Sequence, residues 1–138
     1  MTEELSETAT VGTPARSRVL IVDDERKNRD LIEVLLSKQG YEITTANSGE
    51  EALAAVAESL PDLILLDVMM PGMDGYQVAT RLKADPRSAH IPVVMLSALT
   101  DRNSMMHGMT AGAAAYLAKP VDGAQLRSEV ERLLRLTV

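Results

Sequence analysis

Five short runs of apolar residues punctuate the chain, and between them apolar residues recur at three- and four-residue spacing. The runs are Val19-Leu20-Ile21-Val22, Tyr41 to Ala46, Leu63-Ile64-Leu65-Leu66, Ile91 to Leu96 and Ala113 to Ala118. A run of four to six apolar residues without polar alternation, bounded by turn formers, predicts a strand buried on both faces. Leu63 to Leu66 is the clearest, with Pro61 before it, Asp67 at its end and Met70-Pro71-Gly72 beyond. A carboxylate cannot stay charged inside such a core, so Asp67 is placed at the strand's carboxyl end. Tyr41 to Ala46 is more polar; Ile43, Thr44 and Thr45 favour a strand, at an edge. Ala113 to Ala118 is read as a strand only from its length, Tyr116 and the neighbouring breakers, because its alanines favour helix.

The intervening stretches predict helices. From about Glu25 to Lys38, Leu31, Val34, Leu35 and Lys38 share one face, and Gly40 ends the helix. Ser48-Gly49-Glu50-Glu51 has the form of a capping box and opens a helix that buries Leu53, Val56 and Ala57. Asp74 is an N-cap for a helix presenting Val78, Ala79 and Leu82, broken by Asp85-Pro86. Pro92 falls at the start of its strand, where it is tolerated. Thr100 to Thr110 is a weaker helix, since Gly108 costs about 1 kcal/mol relative to Ala. Its Met105, Met106 and Met109 are read as core, with an adaptable partner surface as the alternative. Asp122, with Gln125 three residues later, opens a last helix that buries Leu126, Val130, Leu133 and Leu134. Strand and helix alternate five times, which implies a doubly wound (βα)5 fold of class α/β, with a parallel five-stranded sheet, right-handed crossovers and helices on both faces. Residues 1–17 are polar and aperiodic and are expected to be a disordered tail. The segment 18–138 is expected to be one domain with no second domain following.

Composition narrows the picture. At 138 residues, with 46% hydrophobic and 25% charged residues, the chain can bury a proper core. There is no Cys, hence no disulfide framework and no thiolate zinc site, which fits a reducing cytoplasm. No apolar run approaches membrane-spanning length, and Met1 to Arg18 lacks the basic start and apolar segment of a signal peptide. A net charge of -6 without a basic stripe argues against direct nucleic-acid binding.

The candidate chemistry lies where the runs end. The first ends on Asp23-Asp24, the third on Asp67, the fourth on Ser97 and the fifth on Lys119. In a parallel sheet all of these meet at one edge, where open α/β sheets have their ligand crevice. Each has an ordinary explanation alone: a turn, a cap, a solvated lysine before Pro120. Together, at successive strand ends, they make a site. Three neighbouring carboxylates disfavour each other's ionisation unless a cation sits among them. A set of oxygens without Cys or His suits a hard cation, and a small cluster open to water suits Mg²⁺ better than Ca²⁺. A carboxylate beside Mg²⁺ can attack phosphorus and form an acyl phosphate. Ser97 and Lys119 are the right types to bind the remaining phosphoryl oxygens, so the protein's work would be positioning and electrostatics. His90 and His107 lack metal-site spacing and are read as solvated.

The motifs Val22-Asp23-Asp24-Glu25, Leu66-Asp67-Val68-Met69-Met70-Pro71-Gly72-Met73-Asp74-Gly75, Ser97-Ala98 and Tyr116-Leu117-Ala118-Lys119-Pro120 occur in this order. From Val19 to Leu136 the chain thus resembles the receiver domain of bacterial two-component response regulators, in the single-domain, chemotaxis-regulator-like form. The resemblance implies a flavodoxin-like sheet of order 2-1-3-4-5. It implies that Asp67 takes a phosphoryl group from a histidine kinase, a phosphotransfer protein or a small acyl phosphate. Mg²⁺ would be held by Asp24, Asp67 and the backbone carbonyl of Met69, with Asp23 reaching it through water. Ser97 and Tyr116 would form a switch pair, Lys119 would contact the phosphate, and the Lys119-Pro120 bond would be cis.

By the same resemblance the chain is a stoichiometric, cytoplasmic phosphoacceptor and no turnover enzyme, without membrane insertion or nucleic-acid contact of its own. On phosphorylation Ser97 would move toward the phosphate and Tyr116 turn inward. The face of the last two helices and last strand would then change its affinity for a downstream protein or dimerise. Met69 and Leu99 stand at positions that orient the hydrolytic water in the family; both are apolar, which predicts slow self-dephosphorylation. Ala114 and Ala115 replace the acidic residues often found before the switch aromatic. Two alternatives remain open. An aspartate-nucleophile phosphatase would want a second acid where Met69 stands. A flavodoxin-like cofactor binder would want a Gly/Ser/Thr-rich loop where Asp23-Asp24 stands.

Overall fold

The computed structural model describes residues 16–136. The tail expected over residues 1–17 therefore lies, apart from Arg16 and Ser17, outside the described residues. The elements in chain order are β1 (Arg18–Val22), α1 (Arg26–Leu36) with a 3₁₀ turn over Ser37–Gln39, β2 (Glu42–Ala46), α2 (Gly49–Glu58), β3 (Leu63–Asp67), α3 (Gly75–Ala84), β4 (Val93–Ser97), α4 (Arg102–Thr110), β5 (Ala115–Ala118) and α5 (Gly123–Leu136). The five strands form one parallel sheet in the order β2-β1-β3-β4-β5. This is the doubly wound arrangement expected from the alternation, with the polar β2 at one edge and the alanine-rich β5 at the other.

Period-two alternation in the strands divides the core between two layers. Leu20, Val22, Ile64, Leu66, Val93 and Met95 face one way, onto Ala52 and Val56 of α2 and Val78, Ala79 and Leu82 of α3. Val19, Ile21, Leu63, Leu65, Val94 and Leu96 face the other way, onto Ile32 and Leu36 of α1 and Leu126 and Val130 of α5. Every residue of β3 is buried, including Asp67 at its end. At roughly 1.5–3 kcal/mol per fully buried aliphatic side chain, these two layers dominate the fold's stability.

Local signals shape the helix ends. Asp74 caps α3 with a full capping box: its carboxylate accepts from Gln77 N, and the Gln77 amide oxygen accepts from Asp74 N. Asp122 Oδ1 accepts from Gln125 N at 3.0 Å. At α2 the expected box is only half formed. Ser48 Oγ accepts from Glu51 N, but the Glu51 carboxylate reaches one residue further, to Asn47 N. Gly40 ends the first helix in the left-handed region, φ 79°.

Three expected faces differ. In α1 the buried residues are Ile32 and Leu36, while Leu31 and Val34 are 49% and 67% exposed. In α2 Ala52 is buried in place of Ala57, which is exposed, and Leu53 is only partly covered. In α4 the methionines are not core: Met105, Met106 and Met109 are exposed and line an open apolar groove with Thr100, Arg102 and Thr110, and Gly108 is the helix's buried residue. The backbone of α4 lies so close to the sheet that its large side chains are turned outward. Among the described residues no helix is long and apolar enough to cross a membrane.

Candidate functional site

The register of the parallel sheet brings the strand ends together. Val22 pairs with Leu66, Asp67 with Leu96, and Ser97 with Ala118, so the residues that follow share one edge. Carboxylate oxygens of Asp23, Asp24 and Asp67 all lie within 4.8 Å of one another. Asp23 and Asp67 are buried and Asp24 is exposed, so the cluster opens to solvent on the Asp24 side. Lys119, arriving from the end of β5, closes the group. Its Nζ donates to Asp23 Oδ2 at 3.0 Å and to Asp67 Oδ1 at 2.9 Å. The Lys119-Pro120 peptide is cis, as expected.

Charge does not balance here. Three carboxylates and one ammonium leave two negative charges when all are ionised. Burial pushes the Asp67 carboxyl above its ordinary range; the Lys119 hydrogen bond opposes this and the Asp23 charge adds to it. For Lys119, burial pulls the ammonium down, but its hydrogen bonds to Asp67 and Asp23 outweigh this and leave it raised. A cleft of hard oxygens, part buried, part open and two charges short of neutral, suits a hard divalent cation. Asp23, Asp24 and Asp67 are the side chains able to hold one.

The surrounding residues fix this geometry. Asp23 Oδ1 accepts from Glu25 N at 2.9 Å, and Asn28 donates to Glu25 Oε1 at 3.0 Å. Arg29 Nη1 donates to the backbone carbonyl of Asp23 at 2.8 Å, pinning the loop between β1 and α1. Gly75 opens α3 against the end of β3, where its N–H donates to Val68 O at 2.9 Å. A Cβ there would stand 2.5 Å from the Asp67 carbonyl oxygen, so only glycine permits this approach. Met69, two residues after Asp67, turns its side chain to solvent, 60% exposed.

Ser97 is buried at the end of β4, and its Oγ accepts from Leu99 N at 2.9 Å. Tyr116 donates from its hydroxyl to Leu99 O at 2.7 Å, so both hold the same loop. Tyr116 is half-buried beneath α4, against the sheet layer that holds Met95. Sequence reasoning anticipated Asp23, Asp24, Asp67, Met69, Ser97, Tyr116 and Lys119. Asp23, Asp24, Asp67, Ser97 and Lys119 lie at or just beyond strand ends on this edge. Tyr116, in contrast, sits inside β5 opposite Met95 and reaches the edge only through its hydroxyl on Leu99 O, and Met69 turns its side chain to solvent. It did not anticipate Arg29, or Tyr76, whose ring stacks on His107 with centroids 3.9 Å apart. His107 is thus exposed but not simply solvated. Six residues after Asp23 on a helix, Arg29 carried a spacing signal; 31 residues separate Tyr76 from His107, and nothing local marked that pair.

Comparison with known proteins agrees with this geometry. The family model described as the response regulator receiver domain matches residues 19–131. The response regulator PleD of Caulobacter vibrioides is 48% identical over 119 residues, covering 86% of this chain and 26% of that protein. A solved chain described as a response regulator from Chloroflexus aurantiacus is 38% identical with a TM-score of 0.84, covering 87% of this chain and 98% of that one. The chemotaxis response regulator CheY4 of Vibrio cholerae is 32% identical with a TM-score of 0.81, covering 86% of this chain and 99% of the other. The chain spans between about a quarter and a half of the length of the curated relatives it matches.

Proposed function

The chain belongs to the response regulator receiver domain family, and on that premise we propose that Asp67 is its phosphoacceptor and that Ser97 and Tyr116 carry the consequence to a protein partner. The observation that carries this reading is the cluster of Asp23, Asp24 and Asp67 with Lys119 bridging two of its members. Lys119 engages Oδ1 of Asp67, which supports Oδ2 as the attacking oxygen in this reading. In the proposed step that oxygen bonds to phosphorus while the bond from phosphorus to the donor breaks. The donor is a phosphohistidine imidazole or the carboxylate of a small acyl phosphate, and it leaves with the electron pair. Asp67 reacts ionised, so no proton has to be removed from it.

Asp23, Asp24, Asp67 and the backbone carbonyl of Met69 would hold Mg²⁺, which would offset negative charge on the transferring phosphoryl group. Lys119 and the Ser97 hydroxyl are assigned to phosphoryl oxygens; Ser97 Oγ accepts from Leu99 N and keeps its own proton to donate. The chain then acts stoichiometrically, as one domain over residues 18–138, and not as a turnover enzyme. Its proposed donor partner is a histidine kinase or phosphotransfer protein. Its proposed target docks on the face of α4, β5 and α5, where phosphorylation would also promote any dimerisation.

Intact-mass measurement after incubation with acetyl phosphate and Mg²⁺ tests the reading, beside Asp67→Asn and an EDTA control. One added phosphoryl group, absent in both controls, is the expected result. An adduct that survives Asp67→Asn would overturn the assignment of the acceptor, and one that survives EDTA would overturn the metal requirement.

A further inference from the structure

The loop between β1 and α1 supplies two of the three clustered carboxylates, and the two are held differently. Asp23 is fixed from several sides. Its N–H donates to Ala46 O at 3.2 Å, its Oδ1 accepts from Glu25 N at 2.9 Å, and its Oδ2 accepts from Lys119 Nζ at 3.0 Å. The Asp24 carboxylate is exposed and, among the described residues, has no hydrogen-bond or ion-pair partner. Its direction is therefore set by its own backbone, through the plane of the Asp23–Asp24 peptide. Arg29 Nη1 donates to the carbonyl oxygen of that peptide at 2.8 Å, and among the described residues this is the one hydrogen bond the peptide group makes.

Helix electrostatics do not account for Arg29. The first turn of a helix favours anions, yet α1 has none there and begins Arg26-Lys27-Asn28-Arg29. Arg26 pairs with Asp30 at 3.6 Å on the surface, and Lys27 is exposed without a partner among the described residues. Arg29 is the half-buried one of the three cations. Helical side chains tilt toward the N-terminus, so from one turn into α1 its guanidinium reaches back to the loop. No ion pair joins that guanidinium to Asp23, Asp24 or Asp67.

Resting on the reading that Asp23, Asp24 and Asp67 hold Mg²⁺, we infer that Arg29 is a positioning residue for the cation. By holding the Asp23–Asp24 peptide it presents the Asp24 carboxylate to the other two, and it takes no part in phosphoryl transfer. This role has a sign of its own. As a charge alone, Arg29 would repel a divalent cation, and its removal would tighten binding. As the holder of the peptide, its removal frees Asp24 to turn to solvent and weakens binding. Replacing a residue that orients a metal ligand typically costs about 10–100-fold in affinity.

Mg²⁺ is titrated into the isotope-labelled full chain without phosphodonor, and the amide shifts of the loop give its dissociation constant. Arg29→Ala is expected to bind Mg²⁺ about tenfold more weakly than wild type. Lys27→Ala removes a neighbouring charge without touching the loop and should bind as wild type does or slightly tighter. Arg29→Lys keeps the charge and a donor and should fall between wild type and Arg29→Ala. Initial rates of adduct formation from acetyl phosphate are then followed against Mg²⁺ concentration. In Arg29→Ala the half-saturating concentration should rise by the same factor as the dissociation constant, while the rate at saturation stays within a few-fold of wild type. General damage to the site would lower the saturated rate as well.

A folded Arg29→Ala that binds Mg²⁺ as tightly as wild type or tighter would overturn the inference. So would a saturated rate that falls about tenfold or more, since Arg29 would then act on the transfer itself. If Arg29→Ala does not fold, Arg29→Gln, whose shorter amide loses the reach, is read in the same way. Wild type without saturable Mg²⁺ shifts would bring down the metal reading and this inference together, whereas saturable binding in wild type with no weakening in Arg29→Ala would bring down this inference alone.

Discussion

Lys119 Nζ lies 2.9 Å from Asp67 Oδ1, joining the ends of β5 and β3 across 52 residues of sequence. The same ammonium reaches Asp23 at 3.0 Å, so one cation serves two buried carboxylates. Neither carboxylate is fully compensated, and this deficit makes the edge costly to fold.

The cost has a pH signature. Asp67 titrates above the ordinary value of 3.8 because burial outweighs the pull of Lys119. Between the ordinary and raised values the folded protein holds a proton that the unfolded chain has released, so stability falls as pH rises through that window. In EDTA, Asp67→Asn is therefore expected to melt above wild type at pH 7, since Lys119 keeps Asp23 as a partner. The gain should disappear below pH 3.8, where both states of Asp67 are protonated. Melting curves of the two proteins between pH 3 and pH 7, on the order of one unit apart, check the sign.

Lys119→Ala removes the only ammonium in contact with Asp67 among the described residues. Loss of one preorganised donor at a site of charge transfer costs about 10²–10³ in rate. The initial rate of adduct formation from acetyl phosphate should fall by about 10²-fold. A rate within a few-fold of wild type would show that Lys119 acts on the resting charge alone.

The acidic edge was legible because its residues lie at strand ends, where an apolar run must stop and a parallel sheet must converge. Asp67 after Leu63 to Leu66 and Lys119 after Ala115 to Ala118 follow from that rule. The face of α1 was less determined. Leu31, Val34 and Leu35 fit helical spacing as well as Ile32, Leu35 and Leu36 do, and the phase is set by how the chain leaves β1 through the Asp23 loop. Arg29, donating to Asp23 O, takes part in setting that phase. The methionines of α4 have core-like spacing, but Gly108 brings the backbone close enough to the sheet to turn them out. Tyr76 and His107 meet only through tertiary packing of α3 on α4, which no local pattern encodes.

Gly75 and Gly72 separate two uses of glycine in one loop. At Gly75 a Cβ would meet the Asp67 carbonyl oxygen at 2.5 Å and Val68 Cα at 2.8 Å, both backbone atoms. Gly75→Ala must displace α3 or the end of β3, at a cost of about 1–3 kcal/mol, and should slow phosphorylation of Asp67. Gly72 has φ +76° with open space around it. Gly72→Ala should cost about 1–2 kcal/mol for the left-handed backbone and leave the phosphorylation rate near wild type. Denaturant melts paired with adduct kinetics distinguish the two.

Lifetime of the phosphorylated form is set by what can orient water. Met69 is exposed beside the acidic cluster and its thioether is a poor hydrogen-bonding partner. Leu99 is half-buried, with its backbone N–H on Ser97 and its carbonyl on Tyr116. Neither side chain can direct a hydrolytic water, so decay of the adduct should be slow. Met69→Asn is expected to shorten its lifetime about tenfold, equivalent to about 1.4 kcal/mol of barrier. Leu99→Glu should act in the same direction. Unchanged decay in both variants, followed by intact mass, would place control of hydrolysis elsewhere.

Gly108 gives the sharpest test of the packing under α4, because two effects of its replacement oppose each other. Ala in place of Gly inside a helix is worth about 1 kcal/mol of propensity. Its Cβ, however, would lie 2.8 Å from Tyr116 Cδ2 and 3.0 Å from Met95 Sδ, and such overpacking costs about 1–3 kcal/mol. The Met95 thioether can rotate aside, whereas the Tyr116 ring can relieve its contact only by sliding outward and giving up the bond to Leu99 O. Gly108→Ala is therefore expected to melt at or below wild type and to expose the Tyr116 ring. If melting instead rises by the full propensity gain and Tyr116 stays buried, α4 has lifted off the sheet. The space under it would then be set by the hydrogen bond from the Tyr76 hydroxyl to Ser104 O and not by the missing side chain.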